Sequence, residues 1–193
     1  AQEIMRMIVA DWPNSFPTLS INDQFLLREH HPIDLESFFN YYTQEAVNRY
    51  ILVTRPKQLS ETAHDIEYNR CLYIYKTGIF WSLIDRKTGH LAGTVGLYTN
   101  RIPVEICYDL RPEYWGNGVM TATLSHLISF VKNQWPYLGS IQAVVLKENK
   151  ASIALLTKLQ FNWLKTIKNG REHQGLSYDL EIYQYNCQHD QID

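Results

Sequence analysis

The chain has little of several features that would assign it to a class at once. Its three cysteines, Cys71, Cys107 and Cys187, lie far apart and form no Cys-x-x-Cys pair, which excludes a zinc knuckle and a thioredoxin-like redox site. An odd, sparse set of cysteines fits a reducing compartment, with each thiol a small buried side chain. The seven histidines show no metal-ligand spacing, so we expect no metal site.

Long apolar runs and a strong excess of one charge are missing too. The sequence has no run of about 18 apolar residues, so we expect no membrane-spanning helix. The apolar residues near the N-terminus are too few for a signal peptide. Lys and Arg number 18 against 20 Asp and Glu, without a basic block, so we expect no direct nucleic-acid binding. By default these absences predict a cytoplasmic protein.

The remaining composition is that of an ordinary globular domain. The 193 residues are 45% hydrophobic and 20% charged, which suits a single domain with a sizeable core. We predict an irregular N-terminal extension over residues 1–22, a domain over residues 23–187 and a tail over residues 188–193. The aromatic share of 13% is high, which indicates a packed core and in addition part of the wall of a cleft.

Hydrophobic periodicity predicts the order β-α-α-β-β-β-α-β-α-β-β. The strands are predicted at 24–29, 79–84, 91–98, 104–110, 141–146, 161–167 and 176–182, and the helices at 33–42, 60–75, 120–135 and 149–159. Hairpin-linked strands in the middle, followed by strand–helix–strand units, imply an α+β domain with a mixed sheet and helices on its faces.

One segment has the pattern of a ligand-binding site. A strand ends at about Leu110, a turn contains Gly116 and Gly118, and the most regular helix of the chain follows at once. Two glycines let the backbone turn sharply and approach a ligand. The N–H groups from about Gly116 to Thr121 would then point out of a helix N-terminus and form an anion site, for which a pyrophosphate is the natural occupant. Neither a Walker loop nor a full dinucleotide fingerprint is present.

Two motifs in the right order carry a family resemblance. Arg-Pro-Glu-Tyr-Trp-Gly-Asn-Gly at 111–118, followed by Asn-Lys-Ala-Ser-Ile-Ala-Leu-Leu-Thr-Lys-Leu-Gln-Phe at 149–161, resembles the GNAT superfamily of acetyl-CoA-dependent N-acetyltransferases. Within it, the chain is most similar to the Rim-type ribosomal-protein N-terminal acetyltransferases, over about residues 24–185. Departures are Asn117 for a common Lys, Gln160 for the usual Gly, and no tyrosine near Leu156, where many members carry their general acid.

The resemblance implies a mixed, mostly antiparallel central sheet that is splayed in the middle, with helices on both faces. It also implies that acetyl-CoA is the cosubstrate and that no metal is needed. The pantetheine arm would lie along Tyr108, Asp109 and Leu110, with Asn149 and Ser152 near it. The pyrophosphate would contact the loop and helix start formed by Trp115, Gly116, Asn117, Gly118, Val119, Met120 and Thr121.

The resemblance further implies direct attack of a primary amine on the thioester, in a ternary complex. Glu105 lies where family members often carry the base, although a solvated strand face would explain it equally. Ser152 is the candidate acid or holds a water, unless it only bonds backbone in the first turn of its helix. Asn149 caps that helix whether or not it contacts the cofactor. For Cys107, burial in the core is favoured over a nucleophilic role.

The acceptor stays open at this stage. The leading hypothesis is a primary amine such as a protein N-terminus, and the alternatives are a small amine (a polyamine, amino acid or aminoglycoside) or a CoA-binding module without catalysis. The protein is expected to be a monomer or a homodimer. Aromatic residues come from the elements that flank the acceptor cleft in this family, and we expect some of them to line it: Tyr41, Tyr42, Tyr73, Trp81 and Tyr98.

Overall fold

The computed structural model describes residues 1–52 and 55–188. The helices are α1 (Gln2–Ala10), α2 (Leu35–Tyr42), α3 (Glu45–Ile51), α4 (Leu59–Ile74), α5 (Val119–Gln134) and α6 (Lys150–Lys158). The strands are β1 (Leu19–Ser20), β2 (Phe25–Arg28), β3 (Gly78–Asp85), β4 (Leu91–Tyr98), β5 (Val104–Leu110), β6 (Ser140–Leu146), β7 (Asn162–His173) and β8 (Leu176–Asn186).

All eight of these strands belong to one sheet in the order β1-β2-β3-β4-β5-β6-β8-β7. Every neighbouring pair is antiparallel except β5 and β6, which run parallel and are connected through α5. The prediction of a mixed, mostly antiparallel sheet is therefore confirmed.

Helices cover both faces of the sheet because its inner strands are apolar on both sides. On one face, α5 packs Leu124, Leu127 and Val131 into the main core. On the other face, α2, α3 and α4 enclose a smaller core centred on Phe38 and Tyr41. The candidate active site described below lies between these two layers of helices.

The N-terminal segment differs from the prediction, because α1 makes residues 2–10 helical rather than irregular. The helix is held by long-range packing: Ile8 is fully buried, and the Trp12 ring lies 5.9 Å from the Trp135 ring at the end of α5. The hydroxyl of Tyr137 also donates to Asp11. The prediction that residues 1–22 form an irregular extension is therefore wrong for the residues of α1. The domain boundaries at residues 23 and 187 stay predictions, and residues 189–193 of the proposed tail lie outside the described part.

Sequence periodicity also missed β1 and α3, which are two and seven residues long. The other predicted elements match observed ones, with ends that differ by a few residues except for the long β7–β8 hairpin. Within residues 1–52 and 55–188, no helix is long and apolar enough to cross a membrane. The same residues contain no group of three His, Cys, Asp or Glu side chains that could hold a metal ion.

Candidate active site

The two central strands separate where the predicted site begins. β5 and β6 pair at only three positions, which end with Ile106 opposite Ala143. Beyond that point, residues 107–110 pair only with β4, and residues 144–146 pair only with β8. Each strand therefore turns one open backbone edge towards the other, and a cleft of about 1300 Å³ runs through the opening.

The start of α5 forms one end of this cleft. Gly116 and Gly118 have φ angles of 77° and 72°, a left-handed conformation that favours glycine. The first turn bond of the helix runs from the Ala122 amide to the Gly118 carbonyl. Within the described residues, the amides of Gly116–Thr121 donate no hydrogen bond. These donors, together with the helix dipole, form the anion site that the sequence predicts.

The same turn has room for a large group. A Cβ atom built on Gly116 or Gly118 would have no neighbouring atom within 4 Å. The indole of Trp115 is half exposed and donates to the carbonyl of Leu110 at 2.7 Å, which fixes the approach of the loop. An extended phosphate-bearing group therefore fits this end of the cleft sterically and electrostatically.

Most residues proposed for the site meet in this cleft. Those that line it are Glu105, Tyr108, Asp109, Leu110, Trp115, Gly116, Gly118, Val119, Met120, Thr121, Asn149 and Ser152. Asn117 is outside this lining, and its side-chain amide donates to the carbonyl of Trp115. The side chains of Val119 and Met120 are buried in the main core, so these two residues offer the site their backbone.

Two hydroxyl groups meet at the start of α6. The Ser152 and Tyr108 hydroxyls are hydrogen-bonded, with 2.5 Å between the oxygen atoms. The Asn149 side chain accepts a hydrogen bond from the Ser152 amide at 3.2 Å, so the predicted helix cap is confirmed. Burial raises the pKa of the Tyr108 phenol well above its ordinary value, which keeps it protonated. The sequence offered only the period-two alternation of β5 as a signal that Tyr108 turns towards α6.

Successive side chains of a strand point to opposite sides. The side chains of Glu105, Cys107 and Asp109 therefore share one side of β5, and that of Tyr108 lies on the other. The Glu105 carboxylate is 17% exposed, 3.7 Å from the Arg101 guanidinium, and accepts from Gln142 at 3.4 Å. Glu105 pairs with Gln142, one position before the last pair of β5 and β6, beyond which the cleft begins.

Cys107 lies in the wall of the cleft, half-buried, rather than in the core as expected. Burial raises the pKa of its thiol well above the ordinary value, and the nearby carboxylates of Asp109 and Glu105 raise it further. A protonated thiol is a poor nucleophile, so the expectation that Cys107 has no nucleophilic role fits its surroundings.

Asp109 has side-chain contacts that the sequence did not reveal. Its carboxylate accepts hydrogen bonds from the Tyr41 hydroxyl at 2.5 Å and from the Thr94 hydroxyl at 2.7 Å. Burial raises its pKa to about 6, although these hydrogen bonds oppose the shift. The only sequence signal was the presence of acidic residues in a strand of mostly apolar ones, because Tyr41 lies far away in the chain.

Aromatic side chains cover the side of the cleft formed by α2, α3 and α4. Of the five aromatic residues singled out, Tyr41, Tyr42 and Tyr98 line the cleft. Trp81 is fully buried in the main core, and its indole donates to the carbonyl of Pro17. Tyr73 packs beside Trp12 and Phe16, away from the cleft. The wall also includes aromatic residues that the sequence did not single out: Phe38, Tyr50, Tyr68, Phe80 and Tyr114.

Comparisons with known proteins agree with this geometry. The model of the acetyltransferase (GNAT) domain family matches residues 24–162. Bacillus subtilis YoaA, an uncharacterized N-acetyltransferase, is 30% identical over 171 residues, which cover 87% of this chain and 96% of YoaA. An uncharacterized N-acetyltransferase of Bacillus licheniformis is 25% identical over 83% of this chain and 92% of its own length.

Solved structures share the fold at lower identity. RimL, a ribosomal alpha-N-protein acetyltransferase, superposes with a TM-score of 0.77 at 16% identity, covering 88% of this chain and 94% of RimL. The self-immunity acetyltransferase MccE, in complex with acetyl-CoA and AMP, superposes with a TM-score of 0.76 at 19% identity, covering 92% and 99% of the two chains. On the family match and the similarity to YoaA, the chain belongs to the GNAT family of N-acetyltransferases.

Proposed function

We propose that the protein transfers the acetyl group of acetyl-CoA to a primary amine by direct attack in a ternary complex. The observation that carries the proposal is the opening between β5 and β6, which leads on one side to the unpaired amides of Gly116–Thr121. On the other side it leads to a wall of carboxylates and aromatic rings that suits an amine. The proposal therefore assigns the two substrates to the two sides of one cleft.

The donor side fits acetyl-CoA. The amides at the start of α5 would hold the pyrophosphate, and the open backbone edges of residues 107–110 and 144–146 would pair with the amide-containing pantetheine arm. MccE, which shares this fold, has been solved with acetyl-CoA, and RimL with coenzyme A. Bound in this way, acetyl-CoA supplies an activated acetyl thioester.

Glu105 is the base in this proposal. An amine attacks only as the neutral form, so its proton must pass to a nearby acceptor, either directly or through one water. The Glu105 carboxylate lines the cleft where β5 and β6 part. The Arg101 guanidinium lies 3.7 Å from this carboxylate, and the Gln142 amide donates to it at 3.4 Å.

Ser152 supports the departing sulfur, and Tyr108 positions Ser152. As the new bond to nitrogen forms, the carbon–sulfur bond breaks and the sulfur takes up a proton. The Ser152 hydroxyl can donate towards it while its own oxygen accepts from the Tyr108 phenol, which lies 2.5 Å away. This pair would take the place of the tyrosine that many family members have near Leu156.

The acceptor proposed first is a protein N-terminal amine, because RimL and a ribosomal-protein-S5-alanine acetyltransferase of Vibrio fischeri share the fold. The alternative is a small amine, which the large and open cleft would also admit. We place the reaction in the cytoplasm and expect the protein to act as a monomer or a homodimer.

The test is release of free coenzyme A, followed with a thiol reagent, across a panel of N-terminal peptides and small amines. We expect turnover with at least one class and thermal stabilisation by acetyl-CoA. Stabilisation without thiol release from any amine would instead indicate a CoA-binding module and contradict the proposal.

Glu105→Gln tests the base. We expect kcat/KM to fall about 100-fold near neutral pH, with a smaller loss at high pH, where more of the amine is already neutral. Glu36→Gln is the matched control, because it removes an exposed carboxylate from α2 outside the cleft lining. An unchanged rate for Glu105→Gln at neutral pH would remove Glu105 from the mechanism.

A further inference from the structure

The two oxygens of the Asp109 carboxylate have different surroundings. Oδ1 accepts three hydrogen bonds, from the Tyr41 hydroxyl at 2.5 Å, the Thr94 hydroxyl at 2.7 Å and the Thr94 amide at 3.2 Å. Among the described residues, Oδ2 accepts only from the Tyr42 hydroxyl, at 3.5 Å. The carboxylate is thus held firmly through one oxygen, and the other keeps most of its capacity to accept hydrogen bonds on a residue that lines the cleft.

The charge of Asp109 has no cationic partner within the described part of the chain. Within residues 1–52 and 55–188, none of the salt bridges includes this carboxylate. Arg111 is committed elsewhere: its guanidinium lies 5.9 Å from the centre of the Tyr41 ring and donates to the carbonyl of Ser37. A largely buried carboxylate without a counter-charge is costly to the folded protein, so a positively charged ligand would be held strongly there.

Aromatic residues lie beside this carboxylate, and two of them, Tyr41 and Tyr42, donate hydrogen bonds to it. Tyr41 and Tyr42 pack edge to face with ring centres 4.9 Å apart, and Phe38 stacks on Tyr42 at 6.1 Å. All three rings line the cleft. Aromatic faces attract ammonium and guanidinium groups, and they do so more strongly when water is excluded. The combination of a carboxylate and three rings suits a cation better than a neutral or anionic group.

The position of Asp109 separates it from the proposed base. Glu105 and Asp109 are four residues apart on the same side of β5, which places them about 13 Å apart along the strand. One amine cannot contact both carboxylates, so an amine at Glu105 leaves the Asp109 carboxylate available to another part of the same molecule.

Building on the acetyl transfer proposed above, we propose that Asp109, with Tyr41 and Tyr42, binds a second positively charged group of the acceptor. The preferred acceptor then carries an ammonium or guanidinium group about 13 Å from the reacting amine. A diamine or a peptide with a basic side chain near its N-terminus has this chemistry, and the experiment separates the two.

The experiment compares α,ω-diamines of increasing length with the monoamines of the same length. It also compares peptides that carry lysine at successive positions with the same peptides carrying norleucine. We expect kcat/KM for the best dicationic acceptor to exceed that of its matched monocation by about tenfold or more, the effect of one charge-assisted hydrogen bond. Preference in only one series identifies the acceptor as a small diamine or as a peptide.

Asp109→Asn tests whether the charge of Asp109 causes the preference for dications. The amide oxygen of the asparagine can still accept from Tyr41 and Thr94, but the negative charge is lost. We expect the ratio of dication to monocation to fall to near one, mainly through KM. Glu36→Gln, on α2 outside the cleft lining, should leave the ratio unchanged. A ratio that survives in Asp109→Asn, or no dication preference in the wild type, overturns this inference while turnover itself upholds the proposed function. No turnover with any amine refutes both.

Discussion

Replacing Asp109 by Asn should stabilise the protein at neutral pH, although it removes a charged group from the cleft. Burial raises the pKa of this carboxyl from 3.8 to about 6 in the folded protein. Between these two pH values the folded state keeps a proton that the unfolded state has already lost. Stability therefore falls as pH rises through this window, and the full cost is present above pH 6.

The size of the effect follows from the pKa difference. A difference of about two pH units corresponds to about 3 kcal/mol of destabilisation at neutral pH and above. The linkage relation places about half of this cost below pH 5, so about 1.5 kcal/mol develops between pH 5 and pH 8. For a chain of this length, 3 kcal/mol corresponds to roughly 6–12 °C in Tm.

Urea unfolding of the wild type and Asp109→Asn at pH 5 and pH 8 measures this difference directly. The variant should be more stable at both pH values, with the larger gain at pH 8. Glu36→Gln controls for the loss of one exposed carboxylate, and its effect on stability should be small. A difference between wild type and Asp109→Asn that is equal at the two pH values would refute the desolvation argument.

Substitutions of two further residues, Tyr108 and His30, test the roles of their side chains in catalysis and in stability. Tyr108→Phe removes the hydroxyl that is hydrogen-bonded to Ser152, so kcat should fall about tenfold while the KM for acetyl-CoA changes little. Tyr137→Phe is its control, since that hydroxyl contacts Asp11 outside the cleft lining; equal losses in the two variants would remove Tyr108 from the mechanism. Burial lowers the pKa of His30 to about 4, so the unfolded state takes up a proton first as pH falls below 6.5. His30 alone therefore destabilises the folded protein by up to about 3 kcal/mol between pH 6.5 and pH 4, whereas Asp109 acts in the opposite direction over the same range. The difference in stability between His30→Gln and the wild type, measured by urea unfolding, should therefore shift in favour of the variant by up to that amount as pH falls. A difference that does not change with pH would show that the His30 ring is accessible to protons in the folded state.

Much of the fold could be predicted because its strongest signals are local. The apolar stripe of α5 buries Leu124, Leu127 and Val131, and a stripe of this kind is visible in the sequence. The turn between β5 and α5 was also readable, since Gly116 and Gly118 adopt the left-handed conformation that glycines permit. These two features together fixed the donor side of the cleft.

The elements that were missed depend on distant partners. α1 buries Ile8 fully and leads into Trp12, whose ring packs on Trp135 more than 100 residues later. α3 is only seven residues long and packs through Val47 on the smaller core. Short helices are marginal on local propensity alone, so the sequence around them gives little signal.

The side-chain contacts of the candidate site were hidden for the same reason. The family resemblance placed the pantetheine arm along Asp109, but gave no sign that the Asp109 carboxylate contacts Tyr41, which lies 68 positions away in the sequence. Tyr108 meets Ser152 across 44 positions. Alternation along β5 predicts which side chains share a face, but it cannot say which helix covers that face.

The opening between β5 and β6 has a consequence for how such a protein can diverge. Where two strands present bare amide and carbonyl edges, a guest is recognised by main-chain groups that every residue except proline supplies in full. Side chains on these strands can then change without loss of donor recognition, provided that the strands keep their course. Binding of the acetyl donor thus depends on the course of the backbone, whereas acceptor specificity can change through single side-chain substitutions.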